Sequence, residues 1–404
     1  MTVYLGIDWS ETSHALVFLN QKGAVVAQAT IDQSPQGFAR LDQLRRSLDV
    51  APQACCVGIE SSHTLLVDWL WGHGYNQVYV IPPNVTRSRQ ATYRQSGART
   101  DETDAYLIAN LLRTDRHLLY PWRPDTALTQ QLRAQVGLRR QLVTDRVRMQ
   151  NQLRDVLLRY YPAVLQAFNL DTDVGLAFLQ SYPTPQAAAE LGWQAFQHFA
   201  RQQSYARTHW AGAFAALQAP QPQPLPETVA AYAQRAVVTA HRLAETRQAL
   251  KEIDQRIGSL YAEHPDASIY DSLPGIGAVL GPALLTKLGD DRQRFPEPSV
   301  LQALAGTAPV TEQSGRRRSV RFRRACDKEL RAVAQQWAKS SLQKSPWAVA
   351  YFTNARRRGH GTNRTYRALA NRWLAILWKL WQTHQPYDED LHLQCVKERS
   401  RPRH

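Results

Sequence analysis

Cysteine is scarce in this chain: Cys55, Cys56, Cys326 and Cys395 are the four present in 404 residues, and no two form a Cys-x-x-Cys pair. That argues against a zinc ribbon or a disulfide framework and reads as reduced cytosolic thiols. Long apolar runs are missing too. Nothing approaches the roughly 20 residues of a membrane-spanning helix, and the N-terminus enters a strand directly, without a secretory leader. A soluble, intracellular chain is expected. Acidic residues are outnumbered, 34 against 49 Lys and Arg, for a formal net charge of +15 and a pI of about 9.9. Such a surplus suits a polyanionic partner. It is uneven: net −1 over residues 1–114, +4 over 115–265 and +12 over 266–404. A chain this long can bury a large core and hold two or three domains.

The first 120 residues alternate strands and helices. Val3 to Asp8, Ala15 to Leu19 and Gly23 to Ile31 are apolar or β-branched runs, with turn chemistry from Asn20 to Gly23, and predict a three-stranded meander. Pro35 to Leu48 carries apolar residues at helical spacing, Ala54 to Glu60 returns to strand character, and a second helix is expected over His63 to His73. Gln77 to Ile81 reads as a fifth strand stopped by Pro82 and Pro83, and Asp101 to Arg113 as a third helix. The order βββαβαβα suits a ribonuclease-H-like mixed sheet.

Strands of α/β sheets present functional groups where they end. Asp8 ends the first strand and Glu60 the fourth; Asp101 and Asp104, three apart, share one helix face. Together the four carboxylates are hard oxygen donors suited to two Mg²⁺ ions about 4 Å apart, a pair able to activate an attacking oxygen and stabilise a leaving one on phosphorus. Each acid also has a plainer use: Asp after a strand serves turns, and acids in a first helical turn offset the helix dipole. Gly6-Ile7-Asp8-Trp9-Ser10 alone also looks like the opening strand of actin-like sugar kinases, but no second phosphate-binding segment of that kind follows.

The middle of the chain is helical. Leu138, Leu142, Met149, Leu153, Val156 and Tyr160 form a seam within 128–161, and Leu243, Leu250, Ile253, Ile257 and Leu260 repeat it within 227–263. An antiparallel hairpin or coiled coil follows, either a spacer or a dimerisation element. Residues 162–226 read as short helices and a Pro/Gln-rich linker, with Trp193, Phe196 and Trp210 for a small core.

Further on, Leu273-Pro274-Gly275-Ile276-Gly277 precedes a helix from Ala278 to Leu288, as in a helix-hairpin-helix, whose backbone amides hold a DNA phosphate. A tight helix connection would use the same glycines. The stretch from Gly306 to Gly315 ends in Ser314-Gly315 and leads into Arg316, Arg317, Arg318, Arg321, Arg323 and Arg324. Dense arginine is a poor core and a good phosphate clamp. Ser314 stands where that phosphate would lie, though Ser before Gly is also an ordinary turn residue. No His or Asp is spaced to build a hydrolase triad around it, so activation falls to metals or arginines. Arg356, Arg357 and Arg358, then Arg364 and Arg367, add basic surface, and Trp373 to Leu380 forms a helix with a wide apolar face. The expected class is α/β plus α: a mixed-sheet domain over 1–120, a helical region over 121–265, a mainly helical region over 266–390 and a disordered tail over 391–404.

The set Asp8, Glu60, Asp101-x-x-Asp104, the Leu-Pro-Gly-Ile-Gly segment and the Gly-Thr-Ala-Pro-x4-Ser-Gly-Arg stretch together resemble the transposases of insertion sequence family 110, over residues 1 to about 385. The resemblance implies an N-terminal domain like the resolvase RuvC, with Asp8, Glu60, Asp101 and Asp104 as ligands of Mg²⁺ (or Mn²⁺), and a C-terminal transposase domain with Ser314 as nucleophile. It implies donor and target DNA as substrates, a structured bridge RNA from the element as guide, and a dimer or tetramer in which one subunit's carboxylates meet another's serine. A prokaryotic, cytoplasmic enzyme, associated with the nucleoid when on DNA, is the corresponding expectation. Two rivals share the residues: a hydrolytic metal-dependent junction nuclease, and a non-catalytic nucleic-acid scaffold.

Overall fold

The structure, a computed structural model, describes residues 2–62, 64–83, 85–86, 100–221, 224–315 and 317–400. The chain divides into two compact units, one ending at Asp125 and one beginning at Thr126.

In the first unit β1 (Val3–Trp9), β2 (Ser13–Leu19) and β3 (Val25–Asp32) form the antiparallel meander. β4 (Cys55–Ile59) and β5 (Val78–Val80) extend the sheet in parallel on the other side of β1. The order β3-β2-β1-β4-β5-β6 is the mixed sheet expected for a ribonuclease-H-like domain. β6 (Pro121–Trp122), antiparallel to β5, is an addition; two residues, one a proline, carry no alternation for a sequence pattern to show. The helix expected over His63 to His73 runs Leu65–Gly72, capped by Thr64, whose Oγ1 accepts from the Val67 amide at 3.3 Å. His63 lies outside the described residues.

Alternation along β1 sorts its side chains between two layers. Val3, Leu5 and Ile7 point into a core closed by Phe38 and Leu41 of the Pro35–Ser47 helix and by Leu66, Val67 and Leu70. Tyr4, Gly6 and Asp8 face the other way, toward the Asp101–Asp115 helix.

In the second unit the Ala127–Tyr160 and Pro226–Ala262 helices run antiparallel, with Arg139 paired to Asp254 near one end and Arg159 stacked 4.7 Å over Tyr232 at the other. Their two ends enter separate cores. Met149 to Tyr160 pack with five short helices between Ala163 and Gln218, around Phe178, Phe196 and Trp210. Leu132, Ile257 and Leu260 instead join Trp337, Trp373 and Trp381. Of the expected seam, Leu138 is 44% exposed, because it lies on the stretch between the two cores; of the three aromatics expected in the small core, Trp193 is 40% exposed. Residues 121–125 thus go with the first unit, while the rest of the helical region expected over 121–265 and that over 266–390 lie in one unit with two cores.

A polar network, buried at Thr129 and His264, holds the hairpin base. Asp290 accepts from the Thr126 amide and the Thr129 hydroxyl, both at 2.7 Å. His264 Nδ1 accepts from the Asp266 amide at 3.1 Å, so the neutral ring carries its proton on Nε2 and offers it to Thr129 Oγ1 at 2.9 Å. Burial pushes the Asp290 carboxyl up, but the hydrogen bonds from His264, Thr129 and Thr126 outweigh it and hold the group well below the usual carboxylate range.

The expected disorder of 391–404 requires correction for its described part, since Glu389–Ser400 is a helix. Glu389 fixes its start, accepting from Ser345 Oγ at 2.8 Å and from the Trp347 amide at 3.1 Å. A charged surface composition hid this anchor, which is made by residues over 40 positions away.

Candidate active site

β1 and β4 are parallel neighbours whose last register pair is Ile7 with Ile59. Asp8 and Glu60 each follow by one residue, Asp8 still paired with Ala15 of β2 and one residue short of the end of β1, Glu60 just past the end of β4, so their backbones lie about one strand spacing, roughly 5 Å, apart. Both stand two residues beyond register partners, Gly6 and Gly58, that lie under the Asp101–Asp115 helix. A Cβ on Gly6 would collide with the carbonyl oxygen of Ala105 and come within 2.5 Å of the Ala109 amide; one on Gly58 would lie 2.7 Å from Ile108 Cγ2. Period-two alternation within β1 therefore turns Asp8 toward the face this helix covers, and Glu60 follows β4 at the same end.

The helix direction completes the arrangement. Ala105 lies over Gly6, whereas Leu112 packs with Cys56 and Tyr4 at the beginnings of their strands. The helix thus runs antiparallel to β1 and β4, and its first turn, with Asp101 and Asp104, arrives where Asp8 and Glu60 emerge. Thr100 caps that turn, its Oγ1 accepting from the Thr103 amide at 3.3 Å. Asp8, Glu60 and Asp104 are half-buried and Asp101 is exposed. Among the described residues no three His, Cys, Asp or Glu side chains form a ready metal cage. The backbone brings the ends of the elements that carry the four acids to one end of the sheet. As a donor set of four carboxylates, it suits Mg²⁺ or Mn²⁺.

Ser314 belongs to the second unit. It ends β7 (Val310–Ser314) and pairs with Arg317, the first residue of β8 (Arg317–Arg321), across a turn in which Gly315 has φ +55°. Ser314, Arg317, Arg318, Arg321 and Arg324 are exposed; Arg321 lies 3.4 Å from Glu312. Arg323 is half-buried and donates to the Ala308 carbonyl at 3.3 Å, which gives it a structural task. Arg316 lies outside the described residues. This ribbon escaped the sequence reading, which saw a turn followed by arginines. The signal was there in β-branched Val310 and Thr311 before Ser-Gly and in Val320 after it.

Gly275 has φ +77°, and a Cβ there would lie 2.6 Å from the Ser340 carbonyl carbon, so both torsion and space require glycine. Gly277, φ +61°, opens the Gly277–Leu288 helix, whose N-terminus has no side-chain cap. The turn borders an open groove of about 680 Å³ that Lys344 also lines. Arg356, Arg357 and Arg358 are exposed around the end of the Pro346–Arg357 helix, where cations also offset the dipole.

Residues 5–162 match the model of the IS110 DEDD domain, described as a transposase, and residues 267–353 match the transposase family IS116/IS110/IS902. Over 402 residues, 96% of each chain, the protein is 32% identical to the mini-circle putative transposase for IS117 of Streptomyces coelicolor. The chain belongs to the IS110 family of transposases. The 42 kDa protein of insertion element IS900 from Mycobacterium paratuberculosis is 30% identical to this transposase over 393 residues, 95% of this chain and 97% of that one. The 43.6 kDa protein of IS110 from Streptomyces coelicolor is 25% identical over 393 residues, 94% and 93% of the two chains. Membership makes the transposase an enzyme acting on DNA. Its four acids fall within the first matched stretch and Gly275, Gly277 and Ser314 within the second. Among the described residues no helix is long and apolar enough to cross a membrane.

Proposed function

We propose that this transposase cuts and rejoins donor and target DNA through attack of Ser314 on the phosphodiester, with two divalent ions held by Asp8, Glu60, Asp101 and Asp104, under guidance of a structured RNA from its element. The observation that carries the reading is the convergence of the ends of β1 and β4 with the start of the Asp101–Asp115 helix. Bound there, Mg²⁺ or Mn²⁺ supplies charge that polarises the phosphate and favours an ionised hydroxyl.

Ser314 Oγ forms a bond to phosphorus as the bond to the 3′-oxygen breaks; the serine proton is lost and the departing oxygen gains one. The product is a phosphoserine link and a free 3′-hydroxyl. Attack by a 3′-hydroxyl of the new partner strand reverses these steps, and because the phosphodiester is conserved no ATP is needed. The exposed ribbon tip suits delivery of Ser314 to the carboxylates of another subunit, in a dimer or tetramer. The +12 charge of residues 266–404 supports DNA and RNA as partners. Base pairing to the RNA would then carry target choice, with the protein reading backbone and shape.

A nicked suicide substrate tests the chemistry. Wild type should give protein-linked DNA in the presence of Mg²⁺ and none with EDTA, and Ser314→Ala should give none while melting as wild type. Free ends without adduct would instead favour hydrolysis by the same acids. Metal-independent binding without any cleavage would favour a scaffold.

A further inference from the structure

The chain leaves β8 through Phe322, whose residue is 45% exposed. Two guanidiniums lie over its ring, Arg331 at 5.0 Å and Arg367 at 4.6 Å from the centroid. Arg331 comes from the Lys328–Ser341 helix and Arg367 from the Thr362–Thr383 helix, which are locked together by the Trp337 and Trp373 rings, 5.3 Å apart. Exposed Arg364 sits one turn before Arg367 on the same helix. Burial, Arg331 and Arg364 all disfavour the charged form of Arg367.

Nearby carboxylates are committed elsewhere. Glu312 pairs with Arg321, Asp327 with Lys287 at 2.8 Å, and Glu329 with Lys287 and Arg140. Among the described residues none pairs with Arg331, Arg364 or Arg367. A cation–π contact orders a guanidinium over the ring but does not neutralise it. Two mutually repelling guanidiniums occupy the ring, so it is a spacer for them rather than a stacking platform for a base. What the cluster lacks is an anion that accepts several N–H bonds, which is the chemistry of a phosphate.

We propose that Arg331 and Arg367, ordered over Phe322, together with Arg364 beside Arg367, form a subsite for a backbone phosphate of a nucleic-acid strand passing the root of the Ser314 ribbon. This rests on the ribbon being the part that meets nucleic acid. The subsite reads no base, so it holds the strand irrespective of sequence and fixes its path relative to the ribbon.

The test uses the full-length protein and one oligonucleotide sequence as single-stranded DNA, duplex DNA and RNA, with affinity followed by fluorescence anisotropy across a salt series. Arg364→Gln and Arg367→Gln should each weaken binding and flatten the slope of log K against log salt by about 0.7 for a single strand or 0.9 for a duplex. Phe322→Leu, which removes no charge, should weaken binding with the slope retained. An effect confined to DNA assigns the phosphate to a DNA strand, and one confined to RNA assigns it to the guide. Arg364 is exposed, so its variant folds normally. Unchanged affinity and slope for both Gln variants on all three ligands overturns the subsite. Ser314→Ala should leave every slope as in wild type. Adducts that persist in Ser314→Ala alongside flattened slopes in the Arg variants would remove the serine chemistry and keep the subsite; adducts confined to wild type with unaltered slopes would do the reverse.

Discussion

Gly6 lies directly beneath Ala105: a single added methyl would meet that residue's carbonyl oxygen. The obstacle is helix backbone, which has no rotamer to change, so Gly6→Ala must push the Asp101–Asp115 helix off the sheet. We expect a stability loss of about 1–3 kcal/mol or more. Because Asp101 and Asp104 travel with the helix, strand cleavage should fall by about a hundredfold, as for an ångström-scale misplacement. Denaturant melts and adduct yield on the same preparation check both; full adduct formation would mean that this helix does not position the acids.

Asp101→Asn removes a charge at an exposed position, so stability should stay within about 0.5 kcal/mol. If Asp101 holds an ion, cleavage should nevertheless fall at least about a hundredfold, through loss of charge stabilisation in the transition state. Glu60→Gln should behave alike. Unchanged turnover at saturating Mg²⁺ would reduce Asp101 to dipole compensation.

The Asp290 carboxyl is depressed in the folded chain, so the unfolded chain binds its proton more tightly. Its stabilisation is therefore fully present above the ordinary carboxylate range, near pH 4, and is lost as pH falls below that range. Asp290→Asn should cost about 1–3 kcal/mol at neutral pH, from the Thr126 and Thr129 donors left poorly matched. Melting from pH 7 downward should show the difference between variant and wild type shrinking in acid; a constant difference would mean the carboxylate is not the stabilising form.

Gly275 and Gly277 both have positive φ, but only Gly275 is also crowded. Gly277→Ala should cost about 1–2 kcal/mol from its torsion alone. Gly275→Ala adds a backbone clash with Ser340 and should cost about 3 kcal/mol or more. Equal melting temperatures for the two variants would contradict this difference.

Local pattern carried much of the fold into view. Alternation in Val3 to Asp8 and helical spacing in Asp101 to Arg113 depend on neighbours within a turn or two, so the meander, the main helices and the positions of the four acids were readable. Leu138 shows where such reading stops: its spacing is helical, yet whether that face is covered depends on cores built by residues far away in sequence. Glu389 teaches the same about the tail, whose anchor at Ser345 is invisible locally.

The sequence by itself determined which residues could do chemistry on a phosphodiester, because carboxylate, hydroxyl and guanidinium are properties of side chains. Tertiary structure decided which of them meet. The parallel pairing of Ile7 with Ile59, the helix lying flat on Gly6 and Gly58, and Arg367 over Phe322 all join segments tens of residues apart. Such contacts are set by close packing between backbones, and no periodicity along one stretch of chain records what another stretch will press against it.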